Sequence, residues 1–338
     1  MELTTGKFEG IAHISNSRGL FMMVATDQRG SLKKMINPEN PKAVTDDDLK
    51  RTKISLIRCL VGRKSGGRAT GVLVDPEYSY EKDFLKQCNI PANVGVLMGI
   101  ESTGYGGQGE YAPKVGIFGG LTPDEGVRKI KMRGASAVKM LVYHRVDSPT
   151  HEHQEAMVRA VGEACVKYDI PFLLEPMSHP IAGGPDKKSD PKGFARIKPD
   201  LVISTAAELT KPEYHVDVLK AEFPLDLKYA EELGQDPAEA CRELTEASRV
   251  PWVVLSAGVD YPEFRENVKY AVQNGASGFL AGRAIWKEGV GRKDIDEFLL
   301  TTGVKRLNEL SDLVERYATP WYKKYADSIE EIEVVRGE

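Results

Sequence analysis

Cysteine is scarce in this sequence: Cys59, Cys88, Cys165 and Cys241 are the four in 338 residues. They are widely scattered, form no CxxC pair and carry no nucleophile motif, which excludes a dense disulfide framework. They read as reduced, buried or semi-buried thiols. Long apolar stretches are missing as well. Runs such as Gly71–Val74 and Trp252–Leu255 stop after a few residues, far short of the roughly 20 a spanning helix needs. Residues 1–7 lack the basic-then-apolar build of a signal peptide, so the expectation is a cytoplasmic protein without a membrane partner. A long basic run is absent too. Asp and Glu total 50 against 46 for Lys and Arg, a net charge of −4, so no footprint for nucleic acid is present. No low-complexity tract or flexible linker divides the chain. With 41% hydrophobic and 28% charged residues, the balance is that of a folded globular protein.

What the sequence does have is a short apolar run ending in a polar tip, eight times over. The runs are 21–27, 71–75, 94–101, 137–144, 171–177, 216–223, 251–257 and 278–283. Near-continuous hydrophobicity over four to eight residues is the pattern of parallel strands covered on both faces. Helix-compatible segments lie between them. Residues 45–61 begin with aspartates and continue at helical spacing, and Thr122-Pro123-Asp124-Glu125 has the form of an N-cap, an N1 proline and an acidic first turn. Segments 152–167, 237–248 and 262–273 fill the same role. Eight such repeats in this length predict one (β/α)₈ barrel over residues 1–338, with one or two extra helices within 294–325 packed beneath or beside it. A doubly wound sheet is the alternative, but it would not require eight strands. The stretches 103–120 and 178–195 are long in the manner of barrel-top loops, and 181–190 reads as an active-site loop.

A barrel of this kind works at the C-terminal ends of its strands, which makes the polar tips the shortlist. They are Asp27 and Gln28, Asp75, Glu101, Lys139, Glu175, Lys220, Ser256 with Gly258, and Gly282 with Arg283. Lys139 and Lys220 stand out because they lie inside apolar strands, where an ammonium is costly unless paired or neutral. Alternation puts Lys220 on the face of Val218 and Glu222, and Lys139 on the face of Leu141 and Tyr143. If both faces line the barrel, two cations share one cavity and each disfavours the other's charged form. A neutral amine is what attack on a ketone needs. The structural alternatives are an ion pair of Lys220 with Glu222 or another carboxylate, and of Lys139 with Asp27 or Glu175. Glu175 reads as a proton shuttle or a salt-bridge acceptor. Ser256, Gly258, Gly282 and Arg283 fall where barrels commonly hold phosphate, with glycine permitting close backbone approach and arginine adding a bidentate contact.

Other signals carry less. Residues 104–109 match G-x-G-x-x-G, but Pro113 and Gly116 follow where a dinucleotide site needs a helix. His151 and His153 are two apart and do not share a helix face, and His179 sits among prolines, so no metal or cofactor is expected. His13 and His215 belong to no motif. Tyr and Phe residues around the strands read as core.

The chain resembles the tagatose-1,6-bisphosphate aldolase family of class I aldolases, which includes relatives that cleave 6-deoxy-6-sulfofructose 1-phosphate. The resemblance runs from about residue 19 to 303. It rests on Asp27-Gln28-Arg29-Gly30-Ser31-Leu32, Leu73-Val74-Asp75-Pro76-Glu77-Tyr78, Glu101-Ser102-Thr103-Gly104-Tyr105 and Ala137-Val138-Lys139-Met140-Leu141. It continues in Val216-Asp217-Val218-Leu219-Lys220, Leu255-Ser256-Ala257-Gly258-Val259 and Gly282-Arg283-Ala284. The resemblance implies a (β/α)₈ barrel, a Schiff-base lysine at Lys220 and site roles at Asp27, Gln28, Lys139, Glu175, Ser256, Gly258, Gly282 and Arg283. It also implies a phosphorylated ketose as substrate, no metal, and a homo-oligomer. The chain departs from the family pattern at Pro176-Met177-Ser178-His179-Pro180, at Pro224-Leu225-Asp226 and in a longer 106–120 loop, positions expected to contact the far end of a substrate. A sulfonate at C6, or a phosphosugar sensor without turnover, are the alternative expectations.

Overall fold

The computed structural model describes residues 2–79, 83–102 and 114–337. Its centre is a closed barrel of eight parallel strands in sequential order. They are β1 (Phe21–Ala25), β2 (Gly71–Val74), β3 (Gly95–Gly99) and β4 (Ala137–Tyr143), then β5 (Phe172–Met177), β6 (Val218–Ala221), β7 (Trp252–Leu255) and β8 (Gly278–Ala281). Each of the eight apolar runs contains one strand, so the expected barrel is the observed fold.

The runs are apolar throughout because both faces are covered. Met23, Leu73, Leu97, Ala137, Leu173, Val218, Val253 and Leu280 point inward, one from each strand, and form an apolar layer inside the barrel. Their neighbours Val24, Val72, Met98, Val138, Leu174, Leu219, Val254 and Phe279 point outward into the layer of helices. Helix Asp46–Leu60 starts at Thr45 and Pro123–Met132 at Thr122, both with the reciprocal capping contacts their sequences call for. Helices His151–Lys167, Pro237–Ala247 and Tyr261–Gln273 lie where expected.

Three features depart from the sequence reading. The stretch 178–195 is not all loop, because helix Pro191–Leu209 begins inside it, with Asp190 capping Gly193 N and proline at its first position. Its interior Pro199 masked the helical period. The helix Val304–Tyr317 packs against both Tyr261–Gln273 and Asp46–Leu60, so it closes the outer ring after the last strand. The barrel floor is sealed by elements with no strong sequence signal. Helix Thr5–His13 contributes Ile11, and Trp321 and Ile332 join it under the inner layer. The short strands Glu2–Thr4 and Glu333–Val335 pair in parallel beside them.

Candidate active site at the mouth of the barrel

Above the apolar inner layer the interior turns ionic. Lys139 on β4 and Lys220 on β6 both point into the barrel, as alternation predicted. Lys139 is completely buried and its ammonium touches three carboxylates: Asp27 at 3.0 Å, Glu101 at 2.8 Å and Glu175 at 2.8 Å. The alternatives of Asp27 or Glu175 as its partner are both realised, and Glu101 is added. Burial alone would lower the pKa of Lys139, but Asp27, Glu101 and Glu175 together hold it well above the ordinary lysine range. Lys139 is thus a cation held by its carboxylates, as the ion-pair alternative for it allowed. Burial would likewise raise Asp27, yet Lys139 and then Lys220 hold its carboxyl well below the usual range.

Lys220 is buried with its Nζ 2.8 Å from Glu175 Oε1. Glu175 therefore bridges the two lysines, one through each oxygen. Its Oε2 is at ion-pair distance from Lys139 but makes no hydrogen bond of good geometry. Glu222 does not share this space. The strand ends at Ala221, and the chain turns Glu222 outward beside Leu219 and Ala221. There it accepts Ser178 N at 2.6 Å and pairs with Lys187 at 3.4 Å. The Lys220–Glu222 ion pair that alternation allowed is absent for that reason.

A cavity of about 310 Å³ opens above this cluster. Asp27, Gln28, Glu175, Lys220, Ser256, Gly282 and Arg283 line it. Lys139 lies beneath the lining, and Gly258 lies under the Arg283 side chain, where a Cβ would come within 2.9 Å of the guanidinium carbon. Gly258 has φ +85° and the preceding Ala257 φ +46°, a left-handed pair in which only Ala257 carries the steric cost of a side chain. Gly282 is equally constrained, since a Cβ there would stand 3.0 Å from both Ala25 O and Gln28 Nε2. Gln28 Oε1 is buried without a partner among the described residues.

Several lining residues had no role in the sequence reading. Glu101 was on the strand-tip shortlist without a function; it also accepts Leu141 N at 3.2 Å. Tyr143, read as core, faces the cavity because it ends an inward-facing alternation; burial, then Glu175 and Glu222, push its phenol pKa up. Arg29, Ser31, Ser102 and Met177 line it too. Of the departures from the family pattern, Met177 reaches the cavity and His179 packs edge-on behind Tyr143. Asp226 caps helix Leu227–Leu233 instead of facing substrate. The 104–109 glycine motif lies outside the described residues. The rings of His151 and His153 are spent on the carbonyls of Ser148 and Val115.

An ionic cluster with two inward lysines at the top of a parallel eight-stranded barrel defines an aldolase-like (β/α)₈ protein. The DeoC/LacD family aldolase profile matches residues 21–288. A tagatose 1,6-diphosphate aldolase of Listeria monocytogenes serotype 4a (strain HCC23) is 34% identical over 360 aligned positions, covering 99% of both chains. Tagatose 1,6-diphosphate aldolase 2 of Enterococcus faecalis (strain ATCC 700802 / V583) is 31% identical, covering 96% of this chain and 98% of its own. The chain belongs to the DeoC/LacD aldolase family. Among solved structures, an archaeal fructose 1,6-bisphosphate aldolase superposes with a TM-score of 0.59 at 19% identity, covering 91% of this chain and 98% of its own. The Plasmodium falciparum fructose-bisphosphate aldolase gives 0.66 at 14%, covering 94% and 98%. At such identities these two speak for the fold.

Proposed function

We propose that this chain is a class I aldolase that cleaves a ketose 1,6-bisphosphate, tagatose 1,6-bisphosphate or a close stereoisomer, through a Schiff base on Lys220. The products are dihydroxyacetone phosphate and glyceraldehyde 3-phosphate. The observation that carries the reading is the Lys220 amine inside the barrel, 2.8 Å from a carboxylate that also touches a fixed ammonium.

Lys220 attacks as the free amine, and Glu175 is placed to take the proton it gives up. Nζ bonds to C2 of the ketose while the carbonyl oxygen is protonated, forming a carbinolamine. Loss of that oxygen as water leaves an iminium. Glu175 then accepts the C4 hydroxyl proton, the C3–C4 bond breaks, and its electron pair moves into the iminium to give an enamine. The aldehyde leaves; protonation at C3 and hydrolysis release dihydroxyacetone phosphate and restore the amine. Glu175 exchanges protons in several of these steps, and Lys139 supports each by remaining charged between Asp27, Glu101 and Glu175. Asp27 fixes the position of the Lys139 ammonium.

Ser256, Gly258, Gly282 and Arg283 hold the C1 phosphate, where the two glycines leave room for oxygens against the backbone. The unpartnered Gln28 Oε1 is a ready acceptor for a substrate hydroxyl. Arg29 stands across the mouth and serves the far end. Binding energy collected at the ends of the sugar holds C2 within reach of the amine. The test is borohydride reduction with substrate, followed by mass mapping, together with a dihydroxyacetone phosphate assay on a ketose panel containing chelator. A stable adduct on Lys220 and turnover unaffected by chelator are expected. A Lys220→Ala protein that turns over normally would sink the assignment.

A further inference from the structure

Arg29 and Arg283 are the two arginines that line the cavity. Arg29 leaves the turn after β1, but its guanidinium is tied to the tips of β2 and β3. Nη1 donates to Glu77 at 2.9 Å, and Nη2 donates to the Glu101 carbonyl at 3.0 Å. In an eight-stranded barrel closed in sequential order, β3 lies diametrically across from β7, whose turn carries Ser256 and Gly258. A ketose anchored by its C1 phosphate at the β7 and β8 turns therefore extends its other end toward Arg29.

Arg29 meets that end with its charge already opposed. Glu77 is held against it by the fold and not by side-chain chance. Asp75 Oδ1 accepts Glu77 N at 2.9 Å and Tyr78 N at 2.7 Å, and Oδ2 accepts the Ser79 hydroxyl at 3.0 Å. Asp75 is in turn paired with Lys53 at 2.8 Å, both side chains buried. A buried ion pair thus fixes the turn that carries Glu77 to Arg29.

We propose that Glu77 is a specificity-determining residue, setting how strongly the far end of the cavity distinguishes singly from doubly charged substituents at C6. This deepens the aldolase reading and rests on it. The favourable energy of an anion at Arg29 scales with its charge times the local potential. Glu77 lowers that potential, and so shrinks the advantage a phosphate, with nearly two charges, holds over a sulfonate, with one.

Three ketoses test this: the 1,6-bisphosphate, the 6-sulfonate 1-phosphate, and a 1-phosphate lacking any C6 anion as reference. Each is assayed on the protein as it stands and on Glu77→Gln, Arg29→Gln and the double variant. Glu77→Gln is expected to raise the bisphosphate-to-sulfonate ratio of kcat/KM about tenfold, the effect of one unit charge a few ångströms away in a half-solvated site. In the Arg29→Gln background the same change is expected to raise the ratio by a similar factor from a lower starting value, because the potentials of the two side chains add and the turn around Asp75 keeps Glu77 in place. An unchanged ratio in Glu77→Gln overturns the proposal. Failure of the aldolase reading shows differently, as no cleavage of any of the three by the unaltered protein. The ratios are therefore also taken as dissociation constants, which need no turnover and decide the Glu77 question on their own.

Discussion

The two ends of β6 carry opposite charges with opposite purposes. At the lower end, Asp217 takes the Lys7 ammonium with both oxygens at 2.9 Å and also accepts Phe172 N at 2.7 Å. Helix Thr5–His13 supplies that lysine and closes the barrel, so the pair is sealed and fully spent. At the upper end, three residues on, Lys220 meets a carboxylate it shares with Lys139, beneath an open cavity. Both ends bury a lysine against an acid at hydrogen-bond distance. The difference is sharing: the floor has one cation held by one anion, whereas the mouth has three carboxylates around one lysine and one carboxylate bridging two. Redundant partners allow one group to change protonation without stranding another charge, which catalysis by proton transfer requires.

Exchanging the lysines' fates is the strongest way to break this comparison. Lys220→Ala is expected to cost more than about 10³-fold in turnover, because among the described residues no other side chain at that point of the cavity can form the imine. Borohydride trapping is lost with it, while thermal unfolding changes little, since Glu175 keeps Lys139. Lys7→Ala is expected to do the reverse. It leaves Asp217 buried and unpaired, a loss of about 3–5 kcal/mol in urea unfolding, with kcat retained in the molecules that remain folded. Equal effects of the two substitutions on stability would dissolve the distinction between a spent pair and a shared one.

The phosphate turns give the next largest effect. Arg283→Lys keeps the charge but loses the planar fork, and a rise in KM of roughly tenfold with a smaller change in kcat is expected. Gly258→Ala adds a Cβ at φ +85° and within 2.9 Å of the Arg283 guanidinium carbon. It should raise KM at least as far, because it strains the turn and displaces the arginine together. A KM that responds to neither substitution would move the phosphate elsewhere.

How far the sequence went follows from the same physics. Strands buried on both faces announce themselves as apolar runs, and a lysine inside such a run is conspicuous, so the barrel and Lys139 with Lys220 were legible. Asp27 and Glu175 were legible as the polar residues that end those runs. The role of Glu101 was not, because a strand-tip glutamate has no sequence mark of the lysine it will reach on the next strand. Alternation placed Tyr143 on the face of Lys139, but its role was lost to its aromatic character, which reads as core whether it faces helices or a cavity. The expectation for Glu222 failed because alternation holds only while the strand continues, and β6 stops at Ala221. Arg29 lies within a motif of the resembled family, but its tie to Glu77 depends on a turn that folds around Asp75.

Acid offers a smaller effect that separates the mouth from the rest of the fold. Burial works to raise the Asp27 pKa, but Lys139 foremost, and Lys220, hold it well below the 3.8 of an ordinary aspartate. A carboxyl with a depressed folded-state pKa contributes stability that is complete above its unfolded value and is lost as pH falls toward the folded one. Below about pH 4 the unfolded chain binds a proton that folded Asp27 refuses, so the stability difference between the unaltered protein and Asp27→Asn should be largest at pH 5–7 and narrow steadily on acidification. Lys139 acts in the opposite sense. Its raised value keeps its contribution intact below 10.5 and yields it only as strong alkali is approached. Urea unfolding of both proteins at pH 7, 5 and 3.5 reads the narrowing. A gap that stays constant over that span would mean that Asp27 does not hold its charge against Lys139, and that the cluster at the mouth is arranged differently from the one described.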